Sequence, residues 1–256
     1  MRQVARGVWM LSGFLPRLIN AYLVEDVMID ALARWGWGRL LKQLTGRSLS
    51  LVALTHCHPD HQGSAHFLCE HFGVPLACHE ADVDMMEGRQ PMAPDNWQSR
   101  FSDWLMTGPP HKVARVLKDG DEVAGFRVIH TPGHTPGHVI YFRPGDRLAI
   151  VGDLLHNMEM WTGRVGLHET PEFFSVDPAQ CRDSLHRLRE LDPAIVCFGH
   201  GPPLRKPELL ERFFRRLSPE ATRERATARV PSPLALRPRS ATATAIAAAH
   251  RHTESA

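Results

Sequence analysis

The segment 55–61, Thr-His-Cys-His-Pro-Asp-His, sets three imidazoles and a carboxylate side by side directly after the apolar run 49–54. A short apolar run fits a buried strand. Extended backbone sends alternate residues to the same side, so His56 and His58 converge on one point. Pro59 helps the chain turn, and Asp60 and His61 then face a second point close by. Imidazoles packed together repel when protonated, whereas a bound cation holds them neutral. Imidazole nitrogen and carboxylate oxygen are ligands that Zn²⁺ accepts. A metal site at the end of a buried strand is therefore the expectation, with a solvated loop as the bland alternative.

Three further pieces share that placement. Segment 131–138, Thr-Pro-Gly-His-Thr-Pro-Gly-His, holds His134 between two Pro-Gly turns after a strand. Segment 151–153, Val-Gly-Asp, ends an apolar strand on Asp153, and Cys-Phe-Gly-His-Gly at 197–201 sets His200 between glycines after another. Each alone is weak. Together all four sit at strand C-termini, where open α/β layers gather their sites.

The order His56, His58, Asp60, His61, His134, Asp153, His200 resembles the signature of the metallo-β-lactamase-fold hydrolase superfamily, in its glyoxalase II and lactonase-like branch. The likeness covers roughly residues 4–217. It implies a four-layer αβ/βα sandwich, two β-sheets with helices outside, and a site on the edge between the sheets. Carried over, His56, His58 and His134 resemble a first metal site, Asp60, His61 and His200 a second, and Asp153 the bridging carboxylate. The implied cofactor is a pair of Zn²⁺ ions, with iron or manganese as alternatives. Asp30-Ala-Leu32 stands where many relatives have Asp-Thr-Gly or Asp-Ala-Gly, and His138 where a small polar residue is common.

Two dications, two carboxylates and a bridging hydroxide leave a formal excess of about one positive charge. That excess polarises a carbonyl oxygen, and metal binding makes hydroxide available at neutral pH. The expected function is hydrolysis of an ester, lactone or thioester of a small acyl or aryl substrate. Asp60 is expected to orient the hydroxide and pass its proton on, with His156 as a substrate or acid contact. Phe14, Leu15, Trp97, Phe101, Trp104 and His168 are the candidate substrate contacts. Trp97, Phe101 and Trp104 share one helix face, which either packs on the core or covers a pocket. Cys57 points away from its neighbouring ligands and reads as packing. His66, His71, His79, His111 and His186 read as ordinary helix or surface residues.

Among branches, Asp153 argues against true lactamases and His58 against flavodiiron-type oxidoreductases. Glyoxalase II's helical domain and a nuclease's inserted domain are not visible. A persulfide dioxygenase with one iron and a non-catalytic metal-binding module remain as alternatives.

The rest of the chain fits such a fold. A hairpin is expected over 20–30, helices over 34–45, 63–72, 177–191 and 207–217, and strands over 74–78, 122–130, 138–142, 148–151 and 194–198. Residues 1–217 read as the hydrolase domain and 218–256 as a disordered Ala/Arg/Pro-rich tail. The net charge is +2. The tail carries the positive excess and the body is nearly neutral, so no nucleic-acid partner is expected. No transmembrane run or signal peptide is evident. Five cysteines without a C-x-x-C pair suggest reduced thiols and a cytoplasmic location. The expected partner is a small-molecule substrate, with no membrane partner; the sequence leaves oligomeric state open.

Overall fold

A computed structural model describes residues 1–217 other than Phe14. By contacts, Met1–Arg215 form one unit and Arg216–Ala256 a second. The expected tail, 218–256, lies outside the described residues.

The chain opens with β1 (Arg2–Ala5), β2 (Val8–Ser12), β3 (Asn20–Val24) and β4 (Val27–Ile29), an antiparallel run. Glu25 adopts a positive φ of 54° at the tip of the expected hairpin. Helix α1 (Trp37–Gln43) leads to β5 (Leu51–Ala53), which pairs parallel to β4. Then come α2 (Pro59–Gln62), α3 (Ala65–Phe72), β6 (Leu76–His79), α4 (Val83–Met86), α5 (Trp97–Met106) and β7 (Val113–Leu117). Strands β1 to β7 form one sheet in sequence order, parallel from β4 onward.

The second half gives β8 (Glu122–Val123), β9 (Phe126–His130), β10 (Val139–Arg143) and β11 (Leu148–Ile150). They are followed by a hairpin, β12 (Leu155–Met158) with β13 (Val165–Glu169), then α6 (Pro178–Glu190), β14 (Ile195–Cys197) and α7 (Pro207–Leu217). The second sheet runs β14-β11-β10-β9-β8. The expected strand over 122–130 is two strands, because Ala124 and Gly125 both take positive φ and reverse the chain. Strand β7 went unread because its middle is exposed and carries Arg115.

One apolar cluster lies between the sheets. It joins Tyr22, Ile29 and Ala53 of the first to Val128, Tyr141 and Ile150 of the second. The other packs Leu40, Leu44, Leu68 and Cys69 of α1, its C-cap and α3 on the outer face of the first sheet, around Leu23, Val52 and Leu54. Cys57 belongs to this cluster, and all five cysteines are buried and free. Asp177 caps α6 by accepting from the Gln180 N–H, with Pro178 at the first turn.

Buried hydrogen bonds tie the second sheet's last loop to the first sheet. The Asn20 amide donates to the carbonyls of Phe198 (3.0 Å) and Gly201 (2.8 Å), and Tyr22 Oη donates to Phe198 O at 2.7 Å. They fix the backbone on both sides of His200. Loss of one buried bond costs about 0.5–1.5 kcal/mol. Tyr22→Phe should cost about that much in urea denaturation. Asn20→Ala, which takes the side-chain donor from the Gly201 carbonyl while Phe198 O keeps Tyr22 Oη, should cost about 1–3 kcal/mol.

Candidate metal centre

The four motifs meet where strands of both sheets end. His56 and His58 follow β5, Asp60 and His61 lie on α2, His134 sits between β9 and β10, Asp153 follows β11 and His200 follows β14. All but Asp60 are buried. Asp153 is the centre. Its carboxylate lies 3.3 Å from His61 Nε2, 3.1 Å from His200 Nε2, 3.3 Å from His156 Nε2 and 3.7 Å from His134 Nε2. Asp60 Oδ2 lies 3.2 Å from His200 Nε2.

Ligand atoms fall into trios within 4.8 Å of one another: His56 with His58 and His134, and Asp60 with His61 and His200. Asp153 joins a trio with His56 and His61 and another with His156 and His200. This is the grouping expected from the sequence, with His156 brought in as well.

Each ring is oriented by what its other nitrogen touches. Thr55 Oγ1 donates to Asp30 and so accepts from His56 Nδ1–H at 3.0 Å. His61 Nδ1–H donates to Asp30 Oδ2 at 2.9 Å. His58 Nε2–H donates to Ala93 O at 2.6 Å, and His200 Nδ1–H to Leu18 O. These acceptors fix the tautomers and leave the opposite nitrogen with its lone pair toward the site. His134 Nδ1 lies 3.4 Å from Ser175 Oγ.

The orphaned atoms test whether a metal fits. Nε2 of His56, His61, His134 and His156, and Oδ1 of Asp153, are buried without a hydrogen-bond partner. A buried polar atom left alone costs about 1–3 kcal/mol. Five on one small volume are unusual in a native interior, and imidazole and carboxylate donors are what divalent transition metals take. The donor set fits the metal pair expected from the sequence.

Electrostatics agree. Burial, with neighbouring imidazoles, holds His56 and His134 well below the usual imidazole range, and burial also lowers His58 and His156. Neutral imidazole is the ligand form. Burial disfavours a charged His200, but the Asp153 and Asp60 carboxylates outweigh it and raise the group to about 10. His61 is likewise raised by Asp153, Asp30 and Asp60 against burial. Burial would push Asp60 up, yet His61 and His200 hold it at about 2.

Supporting residues escaped the sequence reading. Asp30 links His61 and, through Thr55, His56; its positive φ of 60° and that of Leu32, 59°, shape the turn that brings it in. Asp82 accepts from Cys57 N–H, Thr135 Oγ1 and Gly137 N–H, joining the loops of the first three histidines. His138 pairs Nδ1 with Thr131 Oγ1, and its Nε2 accepts from the Asp153 N–H at 3.2 Å. A Cβ on Gly199 would strike Asp153 Oδ1 and stand 2.6 Å from His61 Cε1, so only glycine lets these groups approach. An aspartate closing a buried strand at residue 30 was the available signal.

Over the centre lies a cavity of about 80 Å³. Asp60, Asp153 and His156 meet Met92, Met106, Met160 and Phe174 there, with the hydroxyls of Ser99, Ser102 and Thr170. Helix α5 covers it, its Asn96 cap accepting from Ser99 N–H and donating to Phe173 O.

The expected substrate contacts need correction. Trp97, Phe101 and Trp104 are 57–74% exposed; α5 turns Ser99, Ser102 and Met106 inward instead. An apolar stripe marks the buried face of a core helix, but this helix lies over a polar site. Leu15 lines a separate groove with Leu18, Ile19 and Trp35. His168 is an exposed residue of β13 paired in register with His156, outside the cavity lining. Phe14 lies outside the described residues. Of the expected contacts only His156 lines the cavity.

Residues 15–200 match the family model described as the metallo-beta-lactamase superfamily. The chain is 26% identical over 231 residues to the probable metallo-hydrolase YflN of Bacillus subtilis, covering 79% of this chain and 86% of that one. It is 30% identical over 168 residues to the hydroxyacylglutathione hydrolase GloC of Haemophilus influenzae, covering 64% and 74%. Among solved structures, TTHA1623 in a di-iron-bound form is 34% identical with a TM-score of 0.60, covering 78% of this chain and 96% of that one. Among the described residues no helix is long and apolar enough to cross a membrane.

Burial pushes Asp82 up to about 6, against the hydrogen bonds from Thr135, Gly137 and Cys57. An unfolded Asp titrates near ~3.9. The folded state therefore holds a proton that the unfolded chain releases, and this group's contribution to stability is present below about 4 and lost as pH rises to about 6. In paired denaturation series, wild-type stability minus that of Asp82→Asn should fall between pH ~4 and ~6 and level off above. A flat difference would refute the assignment.

Proposed function

This chain belongs to the metallo-β-lactamase superfamily, and from that premise we propose that it is a hydrolase using two divalent metal ions to cleave a small acyl ester, lactone or thioester. The observation that carries the reading is the Asp153 carboxylate shared between the two ligand groups, with Nε2 of His56, His61, His134 and His156 buried without a hydrogen-bond partner around it, beneath a cavity. His56, His58 and His134 would hold one ion, Asp60, His61 and His200 the other, and Asp153 both. Bound there, such ions supply Lewis-acid polarisation of a carbonyl and hydroxide at neutral pH.

The chain's own groups do the rest. Asp60 lines the cavity and is held ionised. Its carboxylate accepts the proton of the attacking water and hands it to the departing alcohol or thiol. His156, which lines the cavity, is the chain's candidate donor to the acyl oxygen as charge develops there. Met92, Met106, Met160 and Phe174 line the cavity, so it suits an apolar acyl group. Among the described residues no Lys or Arg lines it, which disfavours a phosphate. Ser99, Ser102 and Thr170 suit a hydroxylated acyl chain, and the likeness to a hydroxyacylglutathione hydrolase supports the thioester class. Zinc is the metal proposed, with iron as the alternative that the di-iron neighbour supports. A cytoplasmic location and a small-molecule partner complete the reading.

Protein purified without chelator should hydrolyse members of a panel of short-acyl thioesters, aryl esters and lactones. Activity should vanish on chelation and return with zinc, iron or manganese. Asp60→Asn should lose roughly 100-fold or more in kcat with metal retained. Near-normal turnover by metal-loaded Asp60→Asn, or activity indifferent to chelation, would refute the mechanism. Oxygen uptake on a persulfide with one iron per chain would replace it with dioxygenase chemistry.

A further inference from the structure

Away from this centre, three residues that the sequence presents as ordinary come together. His66 and Glu70 lie four apart on α3, on one face of the helix. His111 reaches them from the segment between α5 and β7, its backbone N–H donating to Met86 O at 3.2 Å. His66 Nδ1 and His111 Nδ1 stand 3.2 Å apart, and His111 Nδ1 is 3.8 Å from Glu70 Oε1. The two rings cross at 75°. All three ligand atoms lie within 4.8 Å of one another.

We propose that His66, Glu70 and His111 form a third, peripheral site for a late first-row divalent cation such as Zn²⁺. The chemistry is that of two imidazoles and a carboxylate, the set zinc accepts with water in the remaining position. Zinc–nitrogen bonds of ~2.0–2.1 Å in a tetrahedron set neighbouring ligand atoms roughly 3.3 Å apart, close to the spacing of the two Nδ1 atoms. The His111 side chain is 16% exposed and that of Glu70 67%, so one side faces protein and the other admits the ion and its water. Burial and the nearby His66 lower the His111 pKa, which keeps that ring in its neutral form.

The location gives the site a consequence. His111 follows α5, whose Met106 lines the cavity, while His66 lies in the first turn of α3, the helix after the one that carries His61. An ion held there ties the stem of the covering helix to α3. The proposal needs no assumption about the reaction, since it concerns different side chains and is read by metal content.

The test is equilibrium dialysis of the full chain against micromolar zinc at pH 7.5, with elemental analysis, for wild type, His66→Asn, His111→Asn and Glu70→Gln. Wild type should hold one more zinc per chain than either histidine variant, and Glu70→Gln should bind that ion more weakly. The central ions are counted in the same samples, so failure of the peripheral site is separable from failure of the central one. Circular dichroism identifies any variant that fails to fold, and zinc-soaked wild-type crystals give an independent reading. An anomalous peak between the two Nδ1 atoms supports the site. Equal zinc in wild type and folded variants, or no peak there, means that the pair is joined by an N–H···N hydrogen bond alone and overturns the proposal.

Discussion

Carboxylates and imidazoles buried together lose hydration without recompense unless positive charge stands among them. Asp153 lies within 3.1–3.7 Å of four imidazole nitrogens, and three of these, on His61, His134 and His156, have no hydrogen-bond partner. Against the burial that disfavours charge, Asp153 and its neighbouring carboxylates raise the pKa of His61 and His200, so these rings favour a proton where no cation stands. Divalent ions answer the carboxylates better, because they also use the lone pairs of His56, His58 and His134. The rest of the site arranges for those lone pairs to meet.

That arrangement is built from oxygen acceptors behind the rings. Asp30 and Thr55 hold His56 and His61, Ala93 O holds His58, and Leu18 O holds His200. Asp82 joins the loop of His56 and His58 to that of His134 across the gap between the sheets. Both sheets must be in register for this, so the inter-sheet core and the site are parts of one structure. The covering helix α5 is attached differently, through Asn96 to Phe173 O at one end and a polypeptide stem at the other.

What was legible in the sequence follows from how local each signal is. Segment 55–61 carries its chemistry within one turn of chain, and the hairpin of β3 and β4 shows in two apolar runs around Glu25 and Asp26. His134, Asp153 and His200 were weak alone and gained meaning from sharing strand ends. Asp30 shows in the sequence as an aspartate closing a strand, but its partners Thr55 and His61, like those of Asp82, are distant in sequence, so neither role was legible. The aromatic stripe of α5 misled because its helix covers a site and exposes the apolar face. Strand β13 carries no strong strand signal of its own, since only its pairing with β12 makes Val165–Glu169 extended. His66 and His111 lie on separate elements, so nothing in the chain order joined them.

The most direct test is anomalous diffraction at the metal absorption edges from crystals grown without chelator. Two peaks are expected, one among His56, His58 and His134 and one among Asp60, His61 and His200, with Asp153 between them. Density free of anomalous signal at both positions, after growth with zinc, iron or manganese, would contradict the dinuclear assignment.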